Sequence, residues 1–224
     1  MYKALFFDVD DTLLNFKLCS QAALSKAIDI FGIPHDQYIF DLFYEIDNEL
    51  WAKQKQGLIS VQNVLDSRFN ELFTRLGINV DSNKFKVAFL ENLSNEYILE
   101  PGAYDIIRYL SSKYKLYVAS NGMLTMQQSR LKQANLFPYF SDLFVSDDIG
   151  YEKPDIHFFE ECLQRSGLKN KDVLFIGDSL EADILGAHTS GIDTCWYNPT
   201  NIFNHKDLKI GYIIEGLHQL KDIL

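Results

Sequence analysis

The feature that most constrains this chain is an alternation of short apolar runs with amphipathic helical stretches. An apolar run at the N-terminus, Ala4–Phe7, is followed after residue 101 by five more: Leu116–Ala119, Leu143–Val145, Val173–Ile176, Thr194–Tyr197 and Tyr212–Ile214. Runs of this length without polar interruption are typical of strands that are buried on both faces. Helices are predicted between them, near residues 104–113, 126–134, 155–166, 181–190 and 216–223. The alternation predicts an α/β fold, a doubly wound parallel sheet with helices on both faces.

Residues 15–98 do not follow this pattern, because their apolar residues recur at helical spacing throughout. The first helix of this segment is predicted to start from Ser20 as its N-cap and to end at Gly32. The last is predicted to cover Ser82 to Tyr97. The segment is therefore predicted to be a helical insert after the first strand.

The length and the composition of the chain are sufficient for both an α/β core and a helical insert. The chain has 224 residues, and 47% of them are hydrophobic, which is enough for a sizeable core. The predicted parts are a Rossmann-like core, residues 1–14 with 99–224, and the helical insert, residues 15–98.

Charge, cysteine content and hydropathy disfavour several functional classes. The chain carries 21 Lys and Arg against 31 Asp and Glu, a formal net charge of −10, which disfavours a nucleic-acid polymer as partner. Its apolar runs are shorter than the roughly 18 residues of a membrane span, so we expect no membrane association, and its cysteine usage fits a reduced cytoplasm best. Three scattered cysteines and five histidines without ligand spacing indicate neither a disulfide framework nor a zinc site. Monomer and homodimer both remain open.

Polar side chains follow four of the predicted strands, where each strand ends. Because ligands bind at the carboxyl ends of parallel strands, we expect these side chains to meet at one edge of the sheet. Each group alone has a structural explanation, as a turn, a helix start or a favourable acid at a helix N-terminus. Their coincidence in strand order favours a functional site. In chain order they are Asp8 and Asp10, Ser120, Lys153, and Asp178 with Asp183.

The predicted convergence of Asp8, Asp10 and Asp178 raises an electrostatic problem. Two such charges about 4 Å apart repel by roughly 4 kcal/mol at an effective dielectric of 20. Either some of them are protonated or a cation lies among them. Hard oxygen ligands favour Mg²⁺, whereas an EF-hand is excluded because Leu13 stands where that loop needs glycine.

The same residues suggest a reaction. A carboxylate at a strand end, Asp8, can attack phosphorus and form an acyl-phosphate. A second carboxylate, Asp10, can protonate the leaving oxygen and then deprotonate the attacking water. Lys153, Ser120 and backbone N–H groups would hold the phosphoryl oxygens. The pattern therefore predicts an enzyme that hydrolyses a small phosphorylated substrate.

In their order along the chain, the segments DVDDT, SNG, EKPD and GDSLEAD resemble the haloacid dehalogenase superfamily. The resemblance implies Asp8 as the phosphorylated nucleophile and Asp10 as the acid and base. It implies that Mg²⁺ is held by Asp8, by the backbone carbonyl of Asp10 and by Asp178. It also implies that the insert is an α-helical cap that closes over the active site. The resemblance implies that phosphate is bound by Thr12, Ser120, Asn121 and Lys153. It also implies that Asp183 holds Lys153 or a metal-bound water.

Residues outside the catalytic set, in 13–16, 179–180 and 191–199, are similar to the house-cleaning pyrimidine 5'-nucleotidases of this superfamily. That similarity implies hydrolysis of pyrimidine nucleoside 5'-monophosphates. Trp51 is a candidate for stacking on the base, with core packing as the alternative. Trp196 is interpreted as a core residue. Other possible functions are a sugar-phosphate phosphatase, a phosphomutase, or a non-catalytic phosphate-binding protein.

Overall fold

The computed structural model describes residues 2–203 and 208–224, so His205, one of the histidines without ligand spacing, lies outside the described residues. The chain folds as two compact units. One is formed by Met1–Asn15 with Tyr97–Leu224, and the other by Phe16–Glu96. These junctions lie within two residues of the predicted ones. That the helical unit acts as a cap stays a prediction.

The helical unit is built from α1 (Phe16–Phe31), α2 (Gln37–Lys55), α3 (Val61–Leu76) and α4 (Ser82–Leu93). The prediction that Ser20 is an N-cap is wrong. The helix begins at Phe16, and the Ser20 hydroxyl donates within its first turns to the carbonyl of Lys17, at 3.1 Å. The last helix ends at Leu93 rather than at the predicted Tyr97.

Buried aromatic rings form the core of the helical unit. Their centroids lie 4.9 to 5.6 Å apart in several pairs, a spacing at which edge-to-face and tilted rings attract. The rings belong to Phe43, Phe69, Phe73, Phe85 and Phe89. Arg68 is buried among them, and its Nη1 lies 3.1 Å from Oδ1 of the buried Asp47. An ion pair thus lies inside an aromatic core.

Within the described residues, the centre of the other unit is a six-stranded parallel sheet in the order β3-β2-β1-β4-β5-β6. The strands are β1 (Ala4–Phe7), β2 (Lys115–Ser120), β3 (Phe140–Val145), β4 (Val173–Gly177), β5 (Asp193–Tyr197) and β6 (Tyr212–Ile214). The helices of this unit are α5 (Ala103–Ser111), α6 (Leu124–Gln133), α7 (Ser146–Ile149), α8 (Ile156–Ser166), α9 (Gly186–Thr189) and α10 (Leu220–Ile223). The predicted doubly wound α/β fold is confirmed.

The side chains of β1 alternate between two hydrophobic clusters, one on each face of the sheet. Leu5 and Phe7 belong to a cluster that includes Ile106 and Ile107 of α5. Ala4 and Phe6 belong to the opposite cluster, with Phe158 and Phe159 of α8 among its members. Burial on both faces explains why this strand is an uninterrupted apolar run.

The position of β1 decides where a ligand can bind. Its neighbours are β2 on one side and β4 on the other, so the strand order reverses at β1. In open α/β sheets, ligands bind outside the carboxyl ends of the strands at such a reversal. Across residues 2–203 and 208–224, none of the helices combines the length and the apolar character that a membrane span requires.

Candidate active site

Asp8 is placed at the carboxyl end of β1 by the sheet itself. Its backbone N–H continues the strand pairing and donates to the carbonyl of Ile176 in β4, at 2.9 Å. Its side chain is buried, and the whole residue is 7% exposed. A carboxylate that is buried at a strand end needs a partner, because leaving it charged and unpaired is costly.

Lys153 supplies that partner from the loop before α8. Its Nζ donates to Asp8 Oδ1 at 2.6 Å, to Asp183 Oδ1 at 2.7 Å and to the carbonyl of Ala119 at 2.8 Å. The three donor positions of the ammonium group are therefore filled by acceptors from three segments of the chain. Asn121 fixes the backbone of Lys153 through two hydrogen bonds, of 2.9 and 2.8 Å.

One ammonium group does not offset both buried carboxylates. Burial raises the pKa of Asp8 to about 7, and the negative charge of Asp183 adds to the rise that Lys153 opposes. Burial alone would lower the pKa of Lys153, but the charges of Asp183 and Asp8 outweigh it and hold that pKa above its ordinary value. The site therefore carries an excess of negative charge. Perturbed pKa values of this kind concentrate at functional sites.

Three carboxylates form a group that could hold a cation. One oxygen from each of Asp8, Asp178 and Asp183 lies within 4.8 Å of the others. The buried Thr12 hydroxyl donates to Asp178 Oδ1 at 3.1 Å and holds the third carboxylate in place. A donor set made only of carboxylate oxygens suits a hard divalent ion better than zinc or copper.

Asp183 reaches the site from a π-helical segment, Leu180–Leu185, where the sequence predicted an ordinary helix over 181–190. Its Oδ2 accepts a hydrogen bond from the N–H of Ser179, at 3.0 Å. The segment passes very close to β4, since a Cβ on Gly177 would lie 2.4 Å from Asp183 Oδ2. Only glycine leaves room there for the carboxylate that contacts Lys153.

Trp196 supports the same loop from β5. It packs against Leu180 and Ile184, as a core residue would. Its indole Nε1 also donates to the backbone carbonyl of Asp178, at 2.7 Å. The interpretation of Trp196 as a core residue is therefore incomplete, because this hydrogen bond fixes the backbone of a carboxylate in the acidic group.

Asp10 is not a member of the three-carboxylate group, and its partners were not predicted from the sequence. Its Oδ1 accepts from Arg130 Nη1 at 2.6 Å, and its Oδ2 from Gln127 Nε2 at 2.9 Å. Gln127 Nε2 also lies 3.2 Å from the hydroxyl of Ser120. The sequence offered only a weak signal, the spacing that puts Gln127 and Arg130 on the same side of a predicted helix as the apolar Leu131.

The structure thus brings most of the predicted site residues together at the carboxyl edge of one sheet. These are Asp8, Asp10, Thr12, Ser120, Asn121, Lys153, Asp178 and Asp183. Trp51 belongs to α2 of the helical unit, and its side chain is half-buried there. Its part in binding a substrate stays a prediction.

Known proteins are similar to this chain in sequence and in fold. The family model of the haloacid dehalogenase-like hydrolases matches residues 2–191. The pyrimidine 5'-nucleotidase PynA of Streptococcus pneumoniae is 35% identical over 225 residues, covering 100% of this chain and 95% of PynA. A glyceraldehyde 3-phosphate phosphatase of Methanothermobacter thermautotrophicus is 31% identical, and the match covers 100% of both chains.

A solved structure of the HAD-hydrolase YfnB from Bacillus subtilis, bound to magnesium, is similar throughout. It is 34% identical, superposes with a TM-score of 0.94, and the match covers 100% of this chain and 98% of YfnB. The predicted resemblance and the predicted enzyme class, a hydrolase, are confirmed by these matches. With a family model that covers most of its length and relatives matched from end to end, this chain belongs to the haloacid dehalogenase-like hydrolase family.

Proposed function

We propose that this enzyme hydrolyses phosphate monoesters through a phospho-aspartate on Asp8, and that its substrates are pyrimidine nucleoside 5'-monophosphates. The observation that carries the proposal is the Lys153 ammonium held by Asp8 at 2.6 Å and Asp183 at 2.7 Å, next to the group of three carboxylates. This arrangement offers a nucleophile, a cation for the phosphoryl oxygens and ligands for a metal within one site. The similarity to PynA supports the substrate class.

Magnesium is the proposed cofactor. The carboxylate oxygens of Asp8 and Asp178, with the backbone carbonyl of Asp10, would hold it, and the excess negative charge around Asp8 fits a divalent cation. The similar structure of YfnB is bound to magnesium. When bound, the ion supplies positive charge that offsets the repulsion between a carboxylate and a phosphate.

In the proposed reaction, an Asp8 oxygen attacks phosphorus and forms an acyl-phosphate while the bond to the substrate oxygen breaks. Asp10 gives a proton to the departing oxygen and then takes one from the water that cleaves the acyl-phosphate. Inorganic phosphate leaves and Asp8 is regenerated. In these steps Lys153 would exchange one of its present acceptors for a phosphoryl oxygen, and Ser120 would bind another, while Asp183 and Asn121 keep Lys153 in position.

A second candidate substrate class is the small sugar phosphates. It is favoured by the full-length similarity to a glyceraldehyde 3-phosphate phosphatase, at 31% identity. Both classes require the same attack by Asp8, so the catalytic groups do not separate them. We propose that base recognition separates them, with Trp51 of α2 stacking on the pyrimidine.

The test measures phosphate release from UMP, dUMP and glyceraldehyde 3-phosphate, with Mg²⁺ and with EDTA. We expect the nucleotides to be the better substrates, hydrolysis to require Mg²⁺, and Asp8→Asn to be inactive. Trp51→Ala should lower kcat/KM for the nucleotides and leave the triose phosphate unchanged. A fully active Asp8→Asn enzyme would refute the covalent route. Equal losses on every substrate for Trp51→Ala would remove the stacking role.

A further inference from the structure

We infer that Gln127 and Arg130 of α6 are positioning residues for Asp10, and that they fix the orientation of its carboxylate during proton transfer. The inference rests on the proposed function, because it concerns the group proposed to exchange protons with the leaving oxygen and with water. It adds two residues that act through their hydrogen bonds to Asp10.

The two carboxylate oxygens of Asp10 are engaged by different donors. Arg130 Nη1 lies 2.6 Å from Oδ1, and Gln127 Nε2 lies 2.9 Å from Oδ2. With both oxygens bound, the carboxylate cannot rotate about its Cβ–Cγ bond without losing a hydrogen bond, and the bond to a guanidinium is a strong one. The Asp10 side chain is still 28% exposed, so one edge stays open to a ligand.

The donors are themselves rigidly held. Arg130 is 0% exposed and Gln127 is 2% exposed, and Arg130 Nη1 also donates to Gln127 Oε1 at 3.2 Å. The helix that carries them is anchored at its start, where the N–H of Leu124 donates to Asp147 Oδ1 at 2.9 Å. A fully buried arginine is rare in proteins and calls for a specific partner, which here is Asp10.

Gln127 also connects Asp10 to the phosphate-binding side of the site. Its Nε2 donates to Asp10 Oδ2 and lies 3.2 Å from the hydroxyl of Ser120, at the end of β2. Ser120 is proposed to bind a phosphoryl oxygen. One amide group therefore sets the distance between the carboxylate that moves the proton and the hydroxyl that binds phosphate.

A structural role and a positioning role predict different substrate dependence. A variant that only weakens the fold lowers activity on every substrate to the same extent. A variant that misplaces Asp10 lowers it most where the leaving oxygen must receive a proton. Nucleosides and sugars leave as poorly stabilised alkoxides and need that proton. The nitrophenolate ion leaves without it.

The experiment therefore compares kcat/KM for the best alkyl phosphate of the panel with kcat/KM for p-nitrophenyl phosphate. This parameter reports the steps up to departure of the leaving group, before water enters. General acid catalysis contributes about 10²–10⁴-fold, so we expect Arg130→Met and Gln127→Leu to lose about 10-fold or more on the alkyl phosphate. On the aryl phosphate we expect a loss below about 3-fold, and Arg130→Lys should recover part of the loss on the alkyl phosphate.

Two neighbours on α6 provide matched controls. Lys132→Met removes an exposed positive charge, and Gln128→Leu makes the same change one residue away from Gln127. Both should retain wild-type kcat/KM on both substrates. Thermal unfolding is measured for every variant, and if Arg130→Met does not fold, Gln127→Leu carries the test alone.

Equal losses on the two substrates, or no loss on the alkyl phosphate, would overturn the inference. A wild-type enzyme that releases phosphate from neither substrate would instead refute the proposed function. The two failures are therefore distinguishable.

Discussion

Replacing Asp8 by asparagine in the metal-free protein should raise the free energy of unfolding at alkaline pH, although it removes hydrolysis. Burial raises the pKa of Asp8 from 3.8 to about 7, and although Lys153 opposes the rise, the charges of Asp183 and Asp10 add to it. A carboxyl whose pKa is higher in the folded than in the unfolded state destabilises the fold once it ionises.

The magnitude and the pH window follow from the two pKa values. Below pH 3.8, Asp8 is protonated in the folded and in the unfolded state and does not change the free energy of unfolding. Above about pH 7 it is ionised in both states, and the free energy of unfolding is lowered by the full amount that corresponds to the pKa difference. A rise from 3.8 to about 7 corresponds to about 4 kcal/mol, at about 1.4 kcal/mol per pKa unit. Asparagine has nearly the same shape as aspartate, and its amide oxygen can still accept the hydrogen bond from Lys153. The advantage of Asp8→Asn should therefore grow from near zero at about pH 4 to as much as about 4 kcal/mol at about pH 8.

The assay is urea unfolding followed by circular dichroism in EDTA, for both proteins across this pH range. The difference between them reports the loss of the Asp8 carboxyl together with its effect on the pKa of Lys153, because the titrating groups elsewhere in the chain are shared. Asp172→Asn is the control of opposite sign. The hydrogen bond and charge of Lys3 outweigh the effect of burial and lower the pKa of Asp172, so its loss should destabilise the protein above the unfolded pKa. A difference between wild type and Asp8→Asn that does not change with pH would refute the reasoning, as would a less stable variant at about pH 8.

Two further substitutions test packing at and away from the site. Gly177→Ala would place a Cβ 2.4 Å from Asp183 Oδ2. We therefore expect the free energy of unfolding to fall by about 1–3 kcal/mol, with a large fall in kcat/KM. A variant with wild-type activity would show that the Asp183 segment moves to make room for the methyl group. In the helical unit, Asp47→Asn leaves the buried Arg68 without its anion and should cost about 3–5 kcal/mol in urea unfolding. Arg68→Met combined with Asp47→Asn should recover most of that loss, because both charges are then absent, and an unrecovered loss would contradict this account.

The parallel sheet and the polar residues at its edge could be predicted because each corresponds to a short, recognisable pattern in the sequence. A strand buried on both faces reads as a short apolar run, as Ala4–Phe7 does. A polar residue directly after such a run, such as Asp8, must lie at the edge of the sheet. Chain order and strand position together place Lys153 and Asp178 there without any knowledge of side-chain contacts.

The remaining features depend on contacts that the chain order does not encode. Arg130 and Gln127 look like ordinary polar positions of a helix, and only the approach of α6 to Asp10 buries them. Ser20 has the side chain of an N-cap, but the chain enters α1 earlier, at Phe16. The π-helical segment around Asp183 lies against Gly177, a contact that the spacing of apolar residues cannot reveal.

The carboxylates at the sheet edge lower the stability of the fold and are required for the proposed activity. Among the described residues there, the carboxylates of Asp8 and Asp183 share the ammonium of Lys153, and the carboxylate of Asp178 lies close to both. The fold tolerates this because β1 is the central strand, fully buried and paired in register with both β2 and β4, so the apolar clusters on its two faces offset the cost. An asparagine at position 8 would relieve the repulsion and leave no nucleophile. A carboxylate that destabilises the metal-free fold is thus the one that the proposed chemistry cannot lose.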